Sequence, residues 1–134
     1  MHKLKLQDDS YCFACGENNT AGLQLKFSLE NGCLKTQFTP QKIHQGYTNI
    51  VHGGILGLIL DEVMVNLLWK VSKPAVTAEL NLQLKKPAKV GKTLFFTGSI
   101  VSENSRIVYT KAHAQNELGD IVAKATAKCI RVTP

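Results

Sequence analysis

Residues 50–64, IVHGGILGLILDEVM, set a His-Gly-Gly triplet before an apolar run and then place Asp61 and Glu62 side by side within it. From residue 54 to about residue 70 every spacing suits a helix, and Pro74 prevents it from continuing much further. That helix is apolar around most of its girth. It therefore needs cover on most sides, and a curved antiparallel sheet can wrap it.

The flanking sequence supplies the strands. GLQLKFSL (22–29) alternates Leu23, Leu25, Phe27 and Leu29 with polar residues, and CLKTQFT (33–39), after the turn ENG, reads as its hairpin partner. Residues 40–50 are polar and aperiodic and read as a loop that delivers the chain to His52. Beyond Pro74, TAELNLQLKKP, TLFFTGSIV, RIVYTKAHA and IVAKATAKCIRV predict about four long strands in meander, with turns at PAKVGK, SENS and NELGD. No linker, repeat or low-complexity block divides the chain. The expectation is a single α+β domain over residues 1–134, one long helix in a six-stranded, mainly antiparallel sheet.

Composition narrows the function. Hydrophobic residues at 44% and charged residues at 19% exclude disordered and collagen-like classes. Sixteen Lys and Arg against ten Asp and Glu leave a charge of +6 at pH 7, which favours an anionic partner such as nucleic acid, a membrane surface or a phosphate-bearing small molecule. The basic residues are spread along the chain, and only KKPAKVGK (85–92) is locally dense, so nucleic-acid binding is not expected. The start, MHKLKLQDDS, has no apolar core of a secretory signal, and the longest apolar run, 55–60, is far too short to span a membrane. A cytoplasmic protein without a membrane partner is expected.

In a reducing compartment the cysteines at 12, 15, 33 and 129 read as free thiols. CFAC offers half of a zinc site or a redox pair, but the second half would need another close Cys/His pair. Only His44 and His52 are offered, eight residues apart, so no metal is assigned.

The two acids differ. Glu62, Asn66 and Lys70 fall on one i, i+4, i+8 stripe, the polar face of the helix, where Glu62 reads as a rim charge. Asp61 is rotated about 100° from it, onto the face of Gly54, Gly57, Leu58 and Val65. A lone carboxylate among apolar neighbours is retained by pairing, by neutralisation or by function, and a backbone group or a Lys of a neighbouring strand would suffice to pair it.

His52-Gly53-Gly54 stands at the helix start, where free N–H groups and the absence of side chains suit a carbonyl or oxyanion. Gly54 and Asp61 are seven residues apart, hence on one face but about 10 Å apart along the axis. Reacting atoms must approach within about 3 to 3.5 Å, so the two features act on one bond only if different chains supply them. A two-fold dimer with antiparallel helices would do so twice.

At this point the sequence resembles the hotdog-fold acyl-CoA thioesterases of the phenylacetate-pathway and 4-hydroxybenzoyl-CoA types. HGGILGLILDEVM is similar to their segment in which an acid follows the His by nine residues. CFACGENNTAGLQLKF, HQGYTNIVHGG, TAELNLQLKKPAKVGKTL and SRIVYTKAHAQNELGDIVAKATA resemble further segments in the same order, over nearly the whole chain.

The resemblance implies hydrolysis of an acyl-CoA to free acid and coenzyme A, with Asp61 as nucleophile or general base. It implies that Gly53 and Gly54 polarise the thioester carbonyl, that the Thr77 hydroxyl orients water or Asp61, and that His52 and Gln45 line the same site. Thr77 in a strand is otherwise only a β-former, and His52 otherwise only holds its loop by a hydrogen bond. Asn49, three residues before His52, stands where relatives of this subgroup often have Gly and is not counted in the site. Lys85, Lys86, Lys89 and Arg106 are candidates for coenzyme A phosphates. Coenzyme A enters as part of the substrate, and no separate cofactor is required. The implied assembly is a homodimer, or a homotetramer built as a dimer of dimers. A hotdog dehydratase would need a different His and acid pattern. A non-catalytic acyl-CoA binder or sensor would use the same pocket, and Asp61 with Thr77 favours the enzyme over it.

Overall fold

The computed structural model describes residues 6–133; the first five residues of the stretch read for a leader lie outside them. In chain order the elements are β1 (Ser28–Glu30), β2 (Cys33–Phe38), a 3-10 turn (Lys42–His44), α1 (Gly53–Lys70), β3 (Ala75–Leu84), β4 (Leu94–Glu103), β5 (Ile107–Gln115) and β6 (Ile121–Arg131). The strands form one sheet of order β1-β2-β4-β5-β6-β3, and every pairing is antiparallel.

α1 lies against this sheet because its inward residues have no other place to go. Ile59, Leu60, Val63, Met64 and Leu68 are fully buried in one core with Leu94, Phe96, Val108, Ala114, Val122 and Cys129. Alanines at 112, 114, 123, 125 and 127 keep the facing surface of β5 and β6 low, which leaves room for the helix. At Gly98 in β4 a Cβ would stand 2.6 Å from the Val63 carbonyl oxygen, so the strand reaches the helix backbone only because it has no side chain there.

Two expectations need correction. The four late strands are not a simple meander: β4, β5 and β6 are, but β3 pairs with β6 at the far edge. PAKVGK is thus a crossover and not a hairpin turn, held across the helix start by the Val51 N–H donating to the Ala88 carbonyl over 2.8 Å and by the Ile50–Lys89 bridge. The first strand is also shorter than its alternation suggests. Gln24 takes a φ of 51°, which no strand tolerates, and only Ser28–Glu30 pairs with β2. Leu23, Leu25 and Phe27 still pack on the core, so the alternation reports burial without a ladder.

Candidate active site

β3 carries a phase conflict. Ala75 and Thr77 face inward on odd numbers, whereas the leucines that meet α1 are even: Leu82 lies 3.0 Å from the Cβ position of Gly57, and Leu84 lies 2.6 Å from that of Gly53. A bulge resolves it. The register runs Thr77 opposite Cys129 and then Glu79 opposite Lys128, leaving Ala78 unpaired. Both sets can then face the helix, and β3 can lie close to the small residues on that face of α1. The Trp69 indole N–H fixes the other end by donating to the Ala75 carbonyl over 3.0 Å.

Thr77 and Asp61 meet at this bulge. The Thr77 hydroxyl donates to Asp61 Oδ1 over 2.7 Å, and both residues are half-buried. The bond fixes the carboxylate's direction while Oδ2 has no hydrogen-bond partner among the described residues. Asp61 is therefore paired, but with a strand hydroxyl and not with a lysine. Cys129, beside Thr77 in β6, was not singled out in the sequence because it continues an ordinary alternation. It is buried, burial pushes its thiol up, and it serves as the wall behind the pair.

At the helix start His52 is the N-cap, and its Nδ1 accepts the Gly54 N–H over 2.9 Å. A neutral ring accepting at Nδ1 carries its proton on Nε2. The loop-holding hydrogen bond foreseen for His52 is present, and it occupies Gly54. Gly53 N–H has no acceptor among the described residues, so it is the donor left open at the positive end of α1.

Gln45 closes the preceding loop: it bridges Val51, and its Oε1 accepts the Asn49 N–H over 3.1 Å. Asn49 has a φ of 63°, which explains why Asn or Gly suits that position. Lys85 and Lys86 donate their N–H groups to the Val122 carbonyl, and Lys89 bridges Ile50, so these three lie at the helix-start end of the sheet. Lys86 also stands 3.5 Å from Asp120. Arg106 lies at the other end, where its carbonyl accepts from Arg131, the residue opposite Ala75. The length of β3, roughly 30 Å, separates it from the lysines.

Asp61 and the Gly53 N–H belong to one unbroken helix, eight residues or about 12 Å apart. The geometry thus holds an oriented carboxylate and an open N–H donor on one helix, too far apart to share one small group within the chain.

Residues 48–123, more than half of the chain, match the family model of the thioesterase superfamily. Human acyl-coenzyme A thioesterase 13 is 26% identical over 110 residues, covering 78% of this chain and 74% of the relative. A crystal structure of a thioesterase superfamily protein superposes with a TM-score of 0.80 at 24% identity, over 84% of this chain and 59% of that one; the chain thus spans about three-fifths of that protein. A Streptococcus mutans protein crystallised with acetyl CoA has a TM-score of 0.75 at 20% identity, covering 98% of this chain and 94% of that one. These two structural likenesses carry the hotdog fold, and the family match carries the rest. The chain belongs to the thioesterase superfamily, and so to a family of hotdog-fold thioester hydrolases.

Proposed function

We propose that the protein hydrolyses an acyl-CoA thioester to free acid and coenzyme A at a site that two chains share. The observation that carries this reading is the Thr77 to Asp61 bond of 2.7 Å, which orients the carboxylate and leaves Oδ2 without a hydrogen-bond partner among the described residues. The thioester carbonyl of the substrate lies at the helix start of one chain. There the Gly53 N–H, which has no acceptor among the described residues, stabilises the oxyanion as the carbonyl carbon becomes tetrahedral. Asp61 of the other chain takes a proton from the attacking water, or attacks that carbon itself to form an acyl anhydride that water then hydrolyses; in either case the thiolate of coenzyme A leaves and free acid is released.

Two features favour the dimer. Of the two sheet edges, β1 has only three residues, whereas β3 offers ten, with Leu80 and Leu84 42% and 55% exposed. A long edge strand with apolar side chains invites pairing with a second copy. Antiparallel pairing about a two-fold axis would also bring the Arg106 end of one chain toward the Lys85, Lys86 and Lys89 end of the other, which suits the phosphates of coenzyme A. The hydrolysis itself requires no cofactor, and free cysteines suit a reducing, cytoplasmic setting. Among the described residues no helix is long and apolar enough to cross a membrane.

The test is release of free thiol from short, medium, long and aromatic acyl-CoAs by the wild type and by Asp61→Asn. Turnover of at least one class by the wild type, reduced roughly 100- to 10,000-fold in the variant, is expected. Binding without turnover of any class by the wild type would overturn the enzyme reading in favour of a sensor.

A further inference from the structure

Glu62 does not stand at a solvated rim. It is half-buried beneath the amino-terminal loop, and its Oε1 lies 3.9 Å from Cys12 Sγ. Cys12 Sγ, Cys15 Sγ and a Glu62 carboxylate oxygen all lie within 4.8 Å of one another. The helix fifty residues on thus brings one further potential ligand, Glu62, up to the two thiols of CFAC.

We propose that Cys12, Cys15 and Glu62 bind a zinc-class divalent cation that fastens the amino-terminal loop to α1. Two thiolates and a carboxylate are a donor set that selects zinc over calcium or magnesium. Tetrahedral zinc, with bonds of about 2.3 Å to sulfur and 2.1 Å to oxygen, needs ligand atoms roughly 3.6 to 3.8 Å apart, so the cluster closes by a fraction of an ångström to about one. The loop is already shaped for it. Gly16 N–H donates to the Cys12 carbonyl over 2.8 Å, and a Cβ at Gly16 would fall 2.5 Å from the Cys12 nitrogen, so the turn after the second cysteine closes only on glycine. Ala14, between the two thiols, is 1% exposed and anchors the turn in the core.

Asn66, one turn beyond Glu62, donates to Glu62 Oε1 over 3.1 Å and orients that carboxylate as an outer partner does in metal sites. The cluster opens onto a groove of about 540 Å³ that Asp8 and Asp9 also line, a local acidic surface on a basic chain. Binding releases the two thiol protons to solvent, and the fourth ligand position falls to water from the groove. This cation is structural and takes no part in the hydrolysis.

The test uses the full chain, reduced and stripped with chelator, titrated with Co(II) and then Zn(II). One ion per chain is expected, with thiolate-to-cobalt charge-transfer bands and the d–d intensity of a tetrahedral site, both displaced by zinc. Cys12→Ser with Cys15→Ser should abolish the bands, Glu62→Gln should weaken binding, and Asn66→Ala should weaken it about 10- to 100-fold. Absence of stoichiometric binding, or wild-type affinity in the double cysteine variant, overturns the site. If that variant does not fold, Glu62→Gln and Asn66→Ala decide, with folding checked by circular dichroism; wild-type affinity in both overturns it. A Cys12–Cys15 disulfide that reforms in preference to metal binding overturns it as well.

Discussion

Thr77 Oγ1 lies 2.7 Å from Asp61 Oδ1, and this bond joins the bulge of an edge strand to the middle of the only α-helix among the described residues. Without the bulge, the inward phase of Leu80, Leu82 and Leu84 would turn Thr77 away from α1. A local defect in the β3 to β6 ladder is thus the condition for orienting the carboxylate.

Thr77→Ala removes the donor and frees the Asp61 rotamer. A hydrogen bond to a charged group contributes about 1.5 to 3 kcal/mol, so kcat should fall about 10- to 100-fold with little change in KM. Thr77→Ser keeps the hydroxyl and should retain most of the activity. Steady-state thiol release with a saturating acyl-CoA checks both, and equal loss in the two variants would mean that the Thr77 methyl, not its hydroxyl, matters.

The helix, strands β2 to β6 and the Asp61 face are legible in the sequence because each follows from local periodicity, whereas the alternation over 22–29 reports burial and reaches β1 only at its end. The place of β3 is not, since nothing in PAKVGK distinguishes a hairpin from a crossover; the choice is made by packing across the helix start. The bulge is likewise hidden, for TAELNLQL shows only the phase of its leucines and not the opposite phase of Thr77. His52 shows both sides of the problem. Its capping bond is a local event that the motif allows, yet that the bond would occupy Gly54 and leave Gly53 open depends on one side-chain torsion. Glu62 misleads because a polar stripe looks solvated until the CFAC loop is seen to cover it.

The β3 edge should hold two chains together. Replacing Leu80 and Leu84 together by Glu puts charges where half-exposed leucines would be buried, and dimerisation should weaken on the order of tenfold per leucine. Sedimentation equilibrium over a concentration series checks this. Activity should be lost in parallel with dissociation, at concentrations where the wild type remains assembled.

Stability should fall at alkaline pH. Cys15 and Cys129 both have thiols raised by burial from an unfolded value of 9.0. Above that pH the unfolded chain has released these protons while the folded chain still holds them, so the unfolded state binds fewer protons and folding stability declines as pH rises. Urea unfolding of the metal-free chain on either side of pH 9.0 should show stability level below it and declining above it. Cys129→Ala should make the alkaline decline shallower, although the variant is less stable at neutral pH for loss of a buried side chain.

The shared site makes a sharper demand on Gly53. It is the first residue of α1, a position where proline is tolerated, and His52 before it has φ −60° and ψ 131°, the extended conformation that a residue preceding proline adopts. A Cβ added there meets only the side chain of Leu84, its flexible end first. Gly53→Pro should therefore fold and dimerise while lacking the open N–H, and kcat should fall about 100- to 1,000-fold. Asp61→Asn should be impaired on its own as well. If the carboxylate and the N–H of each site come from different chains, a heterodimer of the two variants has one site with both defects and one with neither. Co-expressed chains with different affinity tags, purified as heterodimers, should then recover about half of the wild-type activity per dimer. Recovery no greater than the mean of the two homodimers would show that each site draws both groups from one chain, and the two-chain mechanism would have to be abandoned.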